Sequence, residues 1–264
     1  MSTTTALRPA ILERDGYRHM YFKDPSRSDG EPDFFQGSMR KDQPFDLHDG
    51  YGAEMMSWLM FFDPAIVPRL HSVHFGVGVA QLPKFCLRQL GMRTTAVELS
   101  PEVISMSHEF FHLPKDHPNL TVINADAAEI ARSPAWRSTA HALLVDLYDV
   151  ECEGPVLDSV EFYADCRELL VEGGVMTLNV VGRSVKLSEV CERIASVFGA
   201  EQVWLPDVTS FGNATVVAGR NVVAPDPSTL SKRVELIEYC FGIRSAPSWP
   251  STIRRLRDVF PHSG

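Results

Sequence analysis

From His71 onward, short apolar runs alternate with longer stretches whose apolar positions recur at helical spacing. The strand-like runs are Val73 to Gly76, Thr94 to Leu99, Leu120 to Asn124, Ala142 to Leu147 and Val175 to Val181. Between them, Ala80 to Leu90, Pro101 to Phe111, Ser159 to Leu170 and Ser184 to Phe198 read as helices. Continuous apolar strands with intervening helices predict an α/β fold, its parallel sheet covered on both faces. The pattern breaks at the end. Gln202 to Leu205 and Ala214 to Ala218 are strand candidates joined by a loop too short for a crossover helix, so they are expected to pair antiparallel.

The flanks read differently. Residues 1–50 are punctuated by Gly, Pro, Asp and Ser around short aromatic and aliphatic pieces, which predicts a small N-terminal β-strand region. Tyr51 to Phe62 reads as a mostly buried helix ending near Asp63-Pro64. Residues 51–220 form the α/β domain, and 221–264 a C-terminal helical extension with helices around Leu230 to Phe241 and Ile253 to Val259.

Composition narrows the class. The 264 residues are 44% hydrophobic and 22% charged, which suits a folded domain. No run approaches ~18 apolar residues, so no membrane partner is expected, and Met1 to Arg14 lacks the pattern of a secretory leader. Five scattered cysteines without a C-x-x-C pair fit a reducing compartment, and a cytoplasmic location is expected. The net charge of −9 argues against a nucleic-acid partner. Between Asp146 and Glu172 stand nine acids and one base, Arg167. That run reads either as a solvated helix face or as a field that attracts a cationic substrate.

Candidate chemistry gathers at the ends of the strands. The first strand runs into Gly76-Val77-Gly78, where glycine permits a tight turn and close approach of a ligand. The next strand ends in Glu98, twenty residues after Gly78, placed to accept from ribose hydroxyls. The third glycine of a dinucleotide fingerprint is replaced by Gln81. Asp126 follows the third strand, either as a helix N-cap or as an acceptor for an adenine amine; with Glu98 it describes an S-adenosyl type nucleoside site. The fourth strand ends in Asp146-Leu147-Tyr148-Asp149, two acids at the crevice where such sheets bind ligands. One can act as a general base while the other holds the attacking group. His108-Glu109-Phe110-Phe111-His112 matches the zinc-protease helix signature, with both imidazoles on one helical face, but Leu113-Pro114 ends the helix and no third ligand has a recognisable spacing. Exposed helix histidines are the preferred reading, and no metal site is assigned. Cys86 reads as a buried small hydrophobe.

In order along residues 30 to 220, several segments resemble the spermidine synthases, the polyamine aminopropyltransferases. They are Gln36-Gly37-Ser38-Met39, Gly76 and Gly78, Ala96 to Pro101, Asn124-Ala125-Asp126, Asp146 to Asp149, Gly154-Pro155, Glu161-Phe162-Tyr163 and Leu170 to Val175. The resemblance implies a class I methyltransferase-like (Rossmann-like) sheet with a small N-terminal β-domain, in a homodimer or higher oligomer. It implies a decarboxylated S-adenosylmethionine co-substrate and no prosthetic group, with an aminopropyl group passing to a polyamine such as putrescine and methylthioadenosine released. Carried over, Gly76 and Gly78 cradle the nucleoside, Gln36 and Glu98 contact its sugar, and Asp126 the adenine. Asp146 is the base, Asp149 helps bind the amine, and Tyr51 is the nearest match to a tyrosine that fixes the substrates.

Two positions depart from the family: Val79 stands where an Asp holds the donor's amine, and Val150 where a proline follows the second acid. Val79 suits methyl transfer from intact S-adenosylmethionine on the same fold, whereas the paired acids suit the polyamine reaction. A non-catalytic nucleoside-binding homologue is the third reading.

Overall fold

A computed structural model describes residues 8–23, 32, 34–47, 50–149, 154–181, 187–205 and 213–259. Three N-terminal strands, β1 (Arg8–Arg14), β2 (Tyr17–Lys23) and β3 (Gly37–Arg40), form an antiparallel sheet in that order. The main sheet contains β4 (His71–Phe75), β5 (Arg93–Glu98), β6 (Leu120–Asn124), β7 (Ala140–Val145), β8 (Leu170–Val180), β9 (Val203–Leu205), β10 (Ala214–Gly219) and β11 (Arg254–Arg255). Its order is β11-β9-β10-β8-β7-β4-β5-β6. β4 pairs in parallel with both β5 and β7, so chain order reverses there and a crevice opens at the strands' carboxyl ends. β6 and β8 extend the parallel part, while β10, β9 and β11 add antiparallel.

The helices follow from capping chemistry. Ser100 caps α3 (Pro101–Phe110), its side chain accepting from Val103 N, and Ser159 caps α5 (Val160–Leu169) from Phe162 N. Asp226 accepts from Ser228 N and Thr229 N at the start of α7 (Pro227–Phe241), which Gly242 ends at φ 74°. One face of the sheet packs under α4 (Ala127–Arg132), α5 and α6 (Leu187–Phe198) through Val73, Phe75, Leu143, Val145, Leu178 and Ile194. The other face lies under α1 (Gly50–Met55), α2 (Gln81–Arg88) and α7 through Trp58, Phe85, Leu144, Val217 and Trp249. A smaller cluster of Met20, Met39, Val79, Val103 and Phe111 docks the N-terminal sheet on the glycine loop and α3.

Two expectations change. The single helix over Tyr51 to Phe62 is a six-residue α1 followed by a 3-10 turn over Ser57–Phe61, because its side chains are buried on several sides of the backbone. The helix over Ile253 to Val259 is instead β11, paired with β9, followed by the short helix Leu256–Val259. The N-terminal part of the helix expected from Ser184 lies outside the described residues.

Candidate active site

Gly76 follows β4 at φ 91°, and a Cβ there would sit 2.2 Å from the Asp146 carbonyl oxygen. No side chain can be accommodated without separating β4 from the loop after β7. Asp146 N donates to Phe75 O at 2.9 Å, and Gly76 N to Val97 O at 2.9 Å, so the turn is stitched to both neighbouring strands. Gly78 turns again at φ 50°.

At the end of β5, the Glu98 carboxylate accepts from Val77 N and from Ser100 N, both at 3.0 Å. Its two oxygens are thereby fixed between the glycine loop and the start of α3, each with a lone pair left for a ligand. Asp126 caps α4 through Ala128 N at 2.8 Å and remains exposed, so its capping reading and its place at the cleft hold together.

Asp146 is partly buried beside Asn179 and Tyr148. Burial pushes its carboxyl up to about 6, against hydrogen bonding from Asn179 and Tyr148 that pulls it down. Asn179 Nδ2 donates to Asp146 Oδ1 at 3.0 Å. Gln36, after β2, reaches across and donates from Nε2 to the Asp149 carbonyl oxygen at 3.2 Å. One cleft of about 400 Å³ is lined by Gln36, Gly76, Gly78, Glu98, Asp126, Asp146 and Asp149, with Leu99, Val156 and Leu157 supplying apolar wall. Tyr51 lies in an adjoining cavity of about 20 Å³, shared with Gln36, Gly76, Gly78, Val79 and Asp146. All eight candidate residues therefore converge.

The acidic run resolves into separate jobs. Asp146 and Asp149 line the cleft, while Asp158 is held by Arg193 at 2.8 Å and by the Tyr163 hydroxyl at 2.8 Å. Glu168 and Glu172 face Arg220 at 3.8 and 3.6 Å. A count within the segment missed cations arriving from elsewhere. The zinc-type arrangement fails on geometry: α3 ends at Phe110, and His112 sits beyond it at φ 59° while His108 bonds Leu113 O, so the imidazoles share no helical face. Cys86 is buried, its thiol pushed up to about 12.

Sequence reasoning missed Asn179. Its signal was present, since it is one of two polar breaks, with Thr177, in the buried apolar run of β8.

This architecture is that of the class I methyltransferase-like transferases. Human methyltransferase-like protein 13, solved in complex with SAH, superposes with a TM-score of 0.62 at 17% identity, over 74% of this chain and 93% of that one. Spermidine synthase from Thermotoga maritima gives 0.57 at 18% identity, over 86% and 77%. No family model matches the sequence. The polyamine aminopropyltransferase of Neisseria meningitidis serogroup A is 30% identical over 215 residues, 80% of this chain and 79% of that protein. That of Chromobacterium violaceum is 30% identical over 214 residues, 79% and 78%. The chain belongs to the polyamine aminopropyltransferase family.

Proposed function

We propose that this protein transfers an aminopropyl group from decarboxylated S-adenosylmethionine to a di- or polyamine such as putrescine, releasing methylthioadenosine. The observation that carries this reading is the meeting of Glu98, Asp126 and Asp146 in one cleft behind Gly76 and Gly78. Glu98 takes the ribose hydroxyls and Asp126 the adenine amine, which leaves the sulfonium near Asp146. Gln36 joins Glu98 at the nucleoside sugar, and Tyr51 and Asp149 surround the acceptor amine.

The acceptor arrives as an alkylammonium with a pKa near ~10.4 and must lose a proton to attack. Burial works on both partners. It raises Asp146 to about 6 and lowers a bound ammonium, narrowing the gap between acid and base. The amine lone pair then forms a C–N bond at the propyl carbon as the C–S bond breaks. Its electrons neutralise the sulfonium, and the proton rests on Asp146.

Turnover by Asp146→Asn is expected to fall by roughly 10²–10⁴, while methylthioadenosine still binds by calorimetry. Near-normal transfer by this variant would assign Asp146 a structural role only. Methyl transfer stands as a second reading because Val79 is buried among Met20, Met39 and Val103 and offers a cationic group no anchor. Incubation with each donor separates the two: methylthioadenosine marks aminopropyl transfer, and S-adenosylhomocysteine marks methyl transfer.

A further inference from the structure

Asp146 follows β7 directly, and the pairing of Val145 with Leu178 sets it beside Asn179 on β8. Asn179 is 1% exposed. Its Nδ2 donates to Asp146 Oδ1 at 3.0 Å, and its Oδ1 accepts from Asn213 Nδ2 at 3.2 Å. Asn213 immediately precedes β10, the next strand of the sheet, so three adjacent strands contribute one residue each to a chain of side-chain hydrogen bonds.

The direction of that chain follows from chemistry. A carboxylate only accepts, so Asn179 must present its NH2 to Asp146 and its carbonyl oxygen to Asn213. Reversal of the Asn179 amide would suit a protonated Asp146, but it would set the NH2 of Asn179 against that of Asn213. The flip that a protonated acid would favour therefore requires both amides to turn together.

We infer that Asn179 and Asn213 are positioning residues, a two-amide relay that holds Asp146 ionised and fixes which of its oxygens faces the substrate amine. The inference rests on Asp146 as the base in the reading above. Oδ1 is committed to Asn179, and Oδ2 is the oxygen that receives the proton. The titratable groups around Asp146 are Tyr148 on its own loop, Glu98 from β5, Asp126 before α4, Asp149, and Tyr51 from α1. Burial opposes ionisation of Asp146, and the Asn179 amide donor, with Tyr148, works against it.

The test uses the full chain in two measurements on Asn179→Leu and Asn213→Ala. One is the pH profile of kcat/KM with decarboxylated S-adenosylmethionine and putrescine. The other is the carbon-13 titration of the Asp146 carboxyl without substrate, identified by its loss in Asp146→Asn. Loss of the donor raises the Asp146 pKa, so the acid limb of the profile moves up in pH. Asn179→Leu is expected to move both limb and titration up by about one pH unit, the size of one hydrogen bond to a charged group. Asn213→Ala moves them less, in the same direction, with methylthioadenosine affinity unchanged. Asn213 is only half-buried, so its variant carries the test should Asn179→Leu fail to fold. An unmoved titration overturns the relay, whatever the enzyme's activity. A titration that moves while the acid limb stays put overturns Asp146 as the base, and with it the relay's part in the reaction.

Discussion

Lys84 is 1% exposed on α2, the helix that the glycine loop opens into. Its ammonium spends all three donors: on Pro44 O at 2.8 Å, Phe111 O at 2.6 Å and Met39 Sδ at 3.3 Å. It therefore ties α2 to the segment after β3 and to the end of α3. Burial lowers its pKa from 10.5 to about 7. Between those values the unfolded chain binds more protons than the folded one, so stability rises with pH across that window. For a shift of this size the rise between pH 7 and pH 9 is roughly 2 kcal/mol. Lys84→Met is expected to abolish it. The absolute stability of the variant is a poorer readout, because relief of the buried charge is offset by two carbonyls left without a donor, at about 1–3 kcal/mol each. The assay is urea denaturation of both proteins at pH 7, 8 and 9, with the two curves of stability against pH subtracted. Asp146 is common to both and cancels. His112, which burial and then Lys84 hold below the usual imidazole value, is present in both as well. Parallel curves would refute the argument, because they would show that Lys84 is as protonated in the folded protein as in the unfolded chain.

Two further outcomes are expected. Glu98→Ala should weaken methylthioadenosine binding by about tenfold or more, one charge-assisted hydrogen bond of ~1.5–3 kcal/mol being the least it loses; equal calorimetric affinities would remove Glu98 from the nucleoside site. Val79→Asp buries a carboxylate against Met20 and Met39 in a position 3% exposed, and should lower Tm by several degrees, about 2 kcal/mol of unpaired-group cost. It should also shift donor preference toward the decarboxylated form, and a wild-type Tm with unchanged preference would sink both expectations.

What was legible in the sequence was what has a local cause. β5, β6 and α3 lie within a residue of their expected bounds, because apolar runs, Pro101 and the Ser100 cap act over a few residues. The convergence of Gly76, Glu98 and Asp146 was legible too, since strands ending at one sheet edge deliver their last residues to one crevice. Contacts between distant segments were not. Arg193 pairs with an acid 35 residues away and Arg220 with Glu168, 52 residues away, and β11 adds to β9 from the far end of the chain. Asn179 shows the same limit in the site itself: its side chain gains a partner only when β7 and β8 pair in register.

The two halves of the cleft are built by different means. The half that the proposed reading gives to the nucleoside is fixed through backbone: Val77 N and Ser100 N hold Glu98, and Gly76 is required by an Asp146 carbonyl 2.2 Å from where a Cβ would stand. Such constraints permit little substitution at Gly76. On that reading the amine half is built from side chains, and Val79 beside it is packed among Met20, Met39 and Val103. A Cβ on Gly37 would lie 2.9 Å from Val79 Cγ2, so a side chain at 37 would have to displace Val79. Val79 thus helps hold the N-terminal sheet, with Gln36 at its edge, over the glycine loop. On the proposed reading, that sheet brings Gln36 into the cleft, and among the described residues the carboxylates of Asp146 and Asp149 are left to hold the cation. On the same reading, the strength of that hold depends on Asp146 staying charged, which is the part proposed for Asn179 and Asn213.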